Sequence, residues 1–339
     1  MIGVEELQTS PTWLPMHPTG AGDAFTLVRL DEAAYRAASF LDERLLAAPV
    51  ERAECSAATV VDAAVGLARR PHFLFHIGHV GSTLISRLVG EHPAFFSLRE
   101  PMLLRAFAGP AATGEQPLPL ATVRGLLART WRATQHSVVK PTSVANECAA
   151  SILAAPDRPA AVFMYTDPLT YLRAILGGAN SCRETELLAP GRRRRLERRL
   201  GGTLALEPVA LGERAAMNWL CETTTLHLAA ELAGTPVLWM HFDHFLAEPR
   251  RGLARILHAF GADAGAAEVA AIVDGPLMRQ YSKAPQYAYD AALRREVLMA
   301  ADVDQRAQIR GGMRWLERIA AGDALARRVL DARTGVSPP

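Results

Sequence analysis

Residues 71–90 read PHFLFHIGHVGSTLISRLVG and predict a strand, a loop and a helix. Residues 73–77 form an apolar run of the length and composition of a buried strand. Apolar residues then recur at helical spacing over 84–89. The loop between carries two glycines and two hydroxyl residues: Gly78, Gly81, Ser82 and Thr83. A helix N-terminus behind such a loop offers N–H groups to an anion, and the hydroxyls can donate to phosphate oxygens. We therefore predict a phosphate cradle at residues 78–83.

The loop departs from the Walker A pattern of nucleoside triphosphatases. That pattern requires glycine at the position of His76 and lysine at the position of Ser82. An alternative interpretation is an ordinary strand–turn–helix unit in which Ser82 is the helix N-cap. The loop alone leaves both interpretations open.

Composition limits the class of protein. The chain has 339 residues, half of them apolar, with 37 Lys plus Arg against 35 Asp plus Glu. Near-balanced charge argues against a general nucleic-acid binder, which usually has a strong basic excess. The four cysteines form no C-x-x-C pair, as expected for a reducing compartment without a zinc site. The N-terminal residues lack a signal-peptide pattern, and no apolar stretch approaches the ~20 residues of a membrane span. We expect a cytoplasmic protein.

Polar residues follow several predicted strands. Glu100 ends a short apolar run, Lys140 follows Val138 and Val139, and Asp167 follows residues 160–165. In a parallel sheet these strand ends meet at the edge where ligands bind. Strands alternating with helices predict an α/β fold, with a mainly parallel sheet of about five strands flanked by helices on both faces.

The domain plan follows from the same pattern. Residues 71–335 are predicted to form one P-loop-type α/β domain with a helix-rich C-terminal part, and residues 1–70 a helical lead-in packed on it. Residues 177–212 show no clear pattern and include GRRRRLERRL at 191–200. This arginine-rich segment is predicted to be either a solvated basic helix, with Glu197 pairing locally, or a lid that meets anions.

Four stretches together resemble the sulfotransferases that use 3′-phosphoadenosine-5′-phosphosulfate (PAPS). HVGSTLISRLVGEHP resembles their 5′-phosphosulfate loop and helix, and LREP resembles an acidic motif after the second strand. YTDPLTYLRAIL resembles the motif that opens the 3′-phosphate site. WMHFDHFLAEPRRGLARILHAFG resembles a late strand, turn and helix. The similarity runs in register over about residues 71–285.

This resemblance implies sulfuryl transfer from PAPS, with 3′,5′-bisphosphoadenosine (PAP) as product, to a hydroxyl or amine of a small-molecule acceptor, without a metal. It implies that Glu100 takes the acceptor's proton. The donor would be bound by residues of the cradle and of the 3′ motif: Gly78, Gly81, Ser82, Thr83, Asp167 and Arg173. His79 could donate to the sulfonate, and Lys140 could steady the sulfonate or the acceptor.

The chain departs from the family at three positions. His79 stands where the family has Lys or Arg, Thr166 where the 3′ motif opens with Arg, and Ala174 where a Ser completes the 3′-phosphate contacts. If PAPS is the donor, another cation must bind its 3′ phosphate. The candidates are Arg173, Arg183, the arginines at 192–195 and Lys283.

Simpler interpretations remain for the same residues. Glu100 could pair with Arg99 or Arg105, Asp167 could only cap a helix, and His72, His76 and His79 form an unpromising metal cluster. Two other functions also remain open. One is a phosphotransferase in which Asp167 binds Mg²⁺. The other is a degenerate nucleotide-binding or scaffolding protein that has lost its donor.

Overall fold

A computed structural model describes residues 2–19, 23–47, 49–67, 70–107, 118–201, 210–284 and 286–334. The strands are β1 Trp13–Thr19, β2 Ala24–Arg29, β3 Arg52–Ser56, β4 His72–His76, β5 Phe95–Arg99, β6 His136–Lys140, β7 Ala161–Tyr165 and β8 Leu238–His241. The helices before the long C-terminal part are α1 Val4–Thr9, α2 Glu32–Ala37, α3 Ala57–Ala64, α4 Ser82–Glu91, α5 Leu120–Leu127, α6 Ala149–Leu153 and α7 Pro168–Leu176.

The C-terminal part is almost entirely helical. Its helices are α8 Ala179–Leu200, α9 Leu211–Glu231, α10 Phe242–Ala247, α11 Pro249–Ala259, α12 Ala266–Val273, α13 Ala291–Asp304, α14 Arg306–Gly322 and α15 Ala324–Thr334. Short 3₁₀ helices lie at Glu43–Ala47, Met102–Phe107, Ser143–Cys148 and Pro276–Arg279. Within the described ranges, no helix is both long enough and apolar enough to cross a membrane.

The main sheet has five parallel strands in the order β5-β6-β4-β7-β8. The cradle strand β4 lies in the middle, where Phe75 pairs with Phe163 of β7 and Phe73 with Val139 of β6. Each of these aromatic and β-branched side chains is fully buried, as a strand covered on both faces requires. The predicted five-stranded parallel sheet is confirmed.

Helices cover both faces of this sheet. On one face α4 contacts β4, β5 and β6, while α11 contacts α4, β7 and β8. On the other face α9 packs against α6, α7 and α8, with α14 and α15 outside it. The buried Trp219 of α9 donates its indole N–H to the carbonyl of Thr166 at 3.0 Å, which fixes α9 against the end of β7. The α/β class and the helix-rich C-terminal part are confirmed.

The first 70 residues contain more than the predicted helices. They contain the short helices α1, α2 and α3, but β1, β2 and β3 also form an antiparallel sheet that the sequence does not predict. Arg99, at the end of β5, ties this part to the main sheet. Its buried guanidinium donates to the carbonyls of Tyr35, Arg36 and Ala38.

The prediction of irregular structure at 177–212 is wrong over its described part. Residues 179–200 form the 22-residue helix α8 despite Pro190 in its interior, and residues 202–209 lie outside the described ranges. Buried contacts offset the cost of this proline. Arg192 and Arg195 are 4% and 6% exposed and bind the buried Glu222 of α9 at 2.9 and 2.7 Å. The solvated-helix interpretation is wrong for these two arginines.

Candidate functional site

The cradle is the turn between β4 and α4. Gly78 and Gly81 have φ values of 87° and 65°, in the left-handed region that favours glycine. At Gly81 space is limiting too, because a Cβ would lie 2.0 Å from the ring of Phe242. Gly81 is the N-cap of α4 and no side chain caps the helix, so the interpretation of Ser82 as N-cap is wrong.

The donor groups of the cradle make no hydrogen bonds to the part of the protein that the structure describes. Among the described residues, the amides of residues 79–83 and the hydroxyls of Ser82 and Thr83 make no hydrogen bond. Ser82 and Thr83 are nevertheless 5% and 3% exposed. Unbonded amides at the positive end of a helix form an anion site. The geometry therefore agrees with the predicted phosphate cradle.

His76 links the first residue of the cradle to the loop after β6 through its two ring nitrogens. Its Nδ1 accepts from the amide of Gly78 at 3.0 Å, so its Nε2 carries the proton and donates to the carbonyl of Pro141 at 2.9 Å. Burial, with the charge of Lys140, holds the pKa of His76 well below its ordinary value. His76 is therefore neutral at pH 7 and joins the loop after β4 to the loop after β6.

Glu100 and Lys140 meet at the ends of neighbouring strands. Arg99 pairs with Lys140 in the β5–β6 register, and the amide of Glu100 donates to the carbonyl of Lys140 at 2.6 Å. The Lys140 Nζ donates to Glu100 Oε1 at 2.5 Å. Lys140 is fully buried, and the Glu100 side chain is 12% exposed. Burial lowers the pKa of Lys140, and Glu100 only partly opposes this.

Glu100 keeps one oxygen for another partner. Its Oε2 makes no hydrogen bond to any described residue. The simpler interpretation, a pair with Arg99 or Arg105, is wrong, because Arg99 binds carbonyls and Arg105 binds Asp42 and Glu43. Glu100 also has a φ of 53°, strained for a residue with a side chain. Such strain clusters at functional sites.

His79 is turned towards α8. Its Nδ1 lies 3.4 Å from the Ser181 hydroxyl, and its Nε2 lies 3.6 Å from Glu184. Burial lowers the pKa of His79, while the hydrogen bond from His79 brings the pKa of Glu184 to about 2. His79 is thus neutral at pH 7 and brings no positive charge to the cradle.

Lys283 supplies a positive charge near the cradle. Its loop is fixed because Arg87 Nε and the Ser39 hydroxyl both donate to the carbonyl of Ser282, at 3.1 and 3.3 Å. Besides burial, the charge of Lys283 lowers the pKa of His76 and of His79. Lys283 is exposed and has no ion-pair partner among the described residues.

The end of β7 is acidic. Asp167 caps α7 by accepting from the amide of Thr170 at 2.9 Å. Thr166 donates its hydroxyl to Asp243 at 3.0 Å, and Arg294 binds Asp243 at 2.6 Å. Burial would raise the pKa of Asp167, but hydrogen bonds from His241 and Thr170 hold it at about 2.

These acidic residues make a weak metal site. Ligand atoms of Asp167, His241 and Asp243 lie within 4.8 Å of one another. The Asp167 carboxylate is engaged by Thr170, however, and both oxygens of Asp243 are engaged, by Thr166 and Arg294.

Three of the predicted 3′-phosphate cations are engaged elsewhere. Arg173 binds Asp302 at 3.0 Å, and Arg192 and Arg195 bind Glu222. On α7 it is Tyr171 that faces the cradle, because its hydroxyl donates to the carbonyl of Ile77 at 3.3 Å. The structure thus brings Glu100, Lys140 and the cradle residues to one edge of the sheet, and Arg173 to another surface.

Sequence reasoning missed Phe242, Asp243 and Arg294. Phe242 and Asp243 lie within the quoted late stretch WMHFDH, so their position was visible but their role was not. Arg294 lies on α13, where no motif marks it. It is 7% exposed, and its guanidinium carbon lies 5.1 Å from the Phe242 ring centroid. Its Nη2 is buried and has no hydrogen-bond partner among the described residues.

Comparisons with known proteins give similarity to solved structures only. No protein-family model matches the chain, and no curated protein matches its sequence. A sulfotransferase domain from the curacin biosynthetic pathway is 13% identical, with a TM-score of 0.45 over 80% of this chain and 100% of that one. A sulfotransferase domain from the Synechococcus PCC 7002 olefin synthase is 13% identical (TM-score 0.42, 80% and 98%). A sulfotransferase from Alicyclobacillus acidocaldarius is 11% identical (TM-score 0.41, 80% and 98%).

Proposed function

We propose that this chain is a sulfotransferase-like enzyme that moves a sulfuryl group from PAPS to a hydroxyl or amine of a small-molecule acceptor. The observation that carries the proposal is the buried Glu100–Lys140 pair at the strand edge that also holds the unbonded cradle. Sulfuryl transfer needs an anion site, a positive charge near the sulfonate and a base for the acceptor's proton. These residues offer all three.

The 5′ end of the donor fits the cradle. The unbonded amides and the hydroxyls of Ser82 and Thr83 are the groups that bind phosphate and sulfonate oxygens, and Gly78 and Gly81 give the turn its shape. PAPS supplies an activated sulfuryl group when it is bound. Lys283 adds a positive charge on this side, in place of the cation that the family has at the position of His79. In this proposal His79 is a neutral hydrogen-bond donor to the sulfonate.

Glu100 and Lys140 act on the acceptor side in this proposal. Glu100 Oε2 has no partner among the described residues, and so it can accept the proton of an acceptor hydroxyl or amine. Lys140 holds the carboxylate through Oε1 at 2.5 Å and keeps positive charge at the strand edge.

The 3′ end of the donor fits less well. Thr166 uses its hydroxyl on Asp243, Asp167 adds a second carboxylate, and Arg173 would have to leave Asp302 to reach a phosphate. A further cation at this end of the sheet is Arg294, which binds Asp243 and whose Nη2 is buried with no hydrogen-bond partner among the described residues. We propose that Arg294 and Asp167 border the 3′-phosphate end.

A nucleotide comparison tests the role of Arg294. One charge-assisted hydrogen bond is worth ~1.5–3 kcal/mol, so PAP should bind at least about tenfold tighter than 5′-AMP. Arg294→Lys keeps a positive charge beside Asp243 but removes the guanidinium Nη2, and so it should reduce the preference for PAP over 5′-AMP. Equal affinities of the wild type for PAP and 5′-AMP, measured by calorimetry, would show that the chain lacks a 3′-phosphate site.

The other functions have weaker support. For a phosphotransferase, Asp167 would have to bind Mg²⁺, but it caps α7. Strand β6, on the other side of β4, ends in Lys140, and this positive charge disfavours Mg²⁺ beside the cradle. We also propose a cytoplasmic location, because all four cysteines are unpaired. A degenerate protein without transferase activity is distinguished by the following assay.

Glu100→Gln tests the enzymatic proposal. Formation of PAP from PAPS is measured in the presence of a panel of small hydroxyl and amine compounds, alongside PAP binding by calorimetry. We expect the variant to lose turnover and keep PAP binding, because a base acts on the acceptor. The double variant Glu100→Gln/Lys140→Met controls for the unpaired buried lysine, and Glu43→Gln removes an exposed carboxylate paired with Arg105. Turnover by Glu100→Gln equal to wild type would refute the base, and no turnover by wild type would favour the degenerate protein.

A further inference from the structure

A basic groove lies between α7 and α14, away from the cradle. It has a volume of about 440 Å³. Tyr171 of α7 faces the cradle, whereas Leu169 and Arg173, two residues to either side, line the groove. Two residues along a helix correspond to a rotation of about 200°. The groove is therefore on the far side of α7 from the cradle, and it is not part of the site described above.

The groove carries uncompensated positive charge. Four arginines line it, and Asp302 is the one carboxylate among its lining residues. Asp302 is already bound to Arg173 at 3.0 Å. Arg306, Arg310 and Arg314 make no hydrogen bond or ion pair with any residue that the structure describes. Three guanidinium groups are thus left without a counter-charge in the part of the chain that the structure describes.

The spacing of these arginines places their positive charges next to one another on the exposed side of α14. Arg306, Arg310 and Arg314 are four residues apart, so they lie on one side of α14. Like charges at this spacing destabilise a helix. The planar guanidinium binds carboxylate, phosphate or sulfate with two parallel hydrogen bonds. An anionic ligand would relieve the repulsion and use donors that the protein leaves unbonded.

The floor of the groove is apolar. Ile309 is 4% exposed, and Leu169 and Met313 are half-buried and packed against the core. The volume lies within the range of small-molecule sites, roughly 300–1,000 Å³. A bare inorganic anion would contact only the rim. The combination of an apolar floor with three free guanidinium groups suits an organic molecule that carries several anionic groups.

We propose that this groove is a second binding site, for a small organic polyanion with at least two phosphate, sulfate or carboxylate groups on an apolar or aromatic body. Its arginines bind the anionic groups, and Leu169, Ile309 and Met313 contact the apolar or aromatic part of the ligand. Two of its lining residues, Leu169 and Arg173, lie on α7, the helix that Asp167 caps. The proposal does not depend on the function of the cradle.

The test uses pyranine, a fluorescent pyrene with three sulfonate groups, as the probe. Its anisotropy is titrated with the full chain at fixed ionic strength, because exposed charges are screened by salt. We expect saturable binding that Arg310→Ala weakens at least about tenfold, since it removes a charge-assisted contact. The matched control Arg318→Ala, on the same helix but outside the groove, should change the affinity less than about twofold. The cradle variant Ser82→Ala/Thr83→Ala should bind pyranine like wild type.

Several results would overturn the proposal. The first is absence of saturable pyranine binding to the wild type. The second is an equal loss of pyranine affinity in Arg310→Ala and Arg318→Ala, which would show that pyranine binds through the general positive charge of the surface and not in the groove. Loss of binding in the cradle variant would place the probe in the cradle, and displacement by inorganic sulfate at the same ionic strength would show a site for a bare anion.

Discussion

Replacing Glu222 by glutamine should destabilise the protein strongly. Glu222 is fully buried and binds Arg192 and Arg195 at 2.9 and 2.7 Å through the same oxygen. Its other oxygen accepts from Asn146 at 3.0 Å, and Asn146 also donates to the carbonyl of His76 beneath the cradle. Glutamine keeps the shape of the side chain and removes its charge. The substitution leaves the buried Arg192 without its counter-charge and leaves Arg195 with Glu147 alone, at 3.1 Å.

The expected magnitude follows from the burial of all three side chains. They are 0%, 5% and 7% exposed, and removing one partner of a buried ion pair costs about 3–5 kcal/mol. Unfolding entropy of about 2.1 cal/mol/K per residue gives roughly 0.7 kcal/mol/K for a chain of 339 residues. The melting temperature should therefore fall by about 4–7 °C.

Glu197→Gln is the matched control for this substitution. Glu197 pairs with Arg193 at 2.8 Å, but both side chains are 24–30% exposed. An exposed pair one helical turn apart contributes about 0.3–0.5 kcal/mol, which corresponds to a shift below about 1 °C. Both variants are measured by differential scanning calorimetry at pH 7. A decrease for Glu222→Gln no larger than that for Glu197→Gln would refute the role of the buried network.

Two further predictions concern the sheet edge. Gly81→Ala should lower the melting temperature and weaken PAP binding, because Gly81 has a φ of 65° and a Cβ would overlap Phe242. The control Gly311→Ala, in the interior of α14 with open space around it, should be neutral or stabilising. Equal effects of the two substitutions would contradict this account. Asp167 has a pKa lowered from 3.8 to about 2, so its contribution to stability is present above about pH 4 and lost as the pH falls towards 2. Asp167→Asn keeps a good N-cap but removes the charge, so it should lower the free energy of unfolding at pH 7 and flatten its dependence on pH between about 4 and 2; an unchanged pH profile would refute the assignment.

The main sheet was predictable from local pattern. Its five strands are short apolar runs, and each crossover is long enough for a helix. The positions of Glu100, Lys140 and Asp167 at or just after strand ends were predictable for the same reason, because the strand ends of a parallel sheet meet at one edge. The antiparallel sheet of the first 70 residues was missed because β1 contains Pro15 and Pro18, which argue against a strand. An edge position, as β1 has, tolerates them.

The partners of these residues could not be predicted in the same way. Arg192 and Glu222 are far apart in sequence, and nothing in GRRRRLERRL distinguishes its buried arginines from its exposed ones. Likewise, the bond between Arg294 and Asp243 joins two helices that no motif connects. Buried ion pairs between distant segments depend on how helices pack, and a local pattern carries no information about that packing.

The central claim is that residues 78–83 bind the anionic end of a PAPS-like donor, and calorimetric titration with PAP tests it most directly. We predict that the wild type binds PAP and that Ser82→Ala/Thr83→Ala, with an unchanged melting temperature, binds it at least about tenfold more weakly, because two hydroxyl contacts to charged oxygens are lost. Absence of PAP binding to the wild type, or equal affinity of the double variant, would contradict the claim.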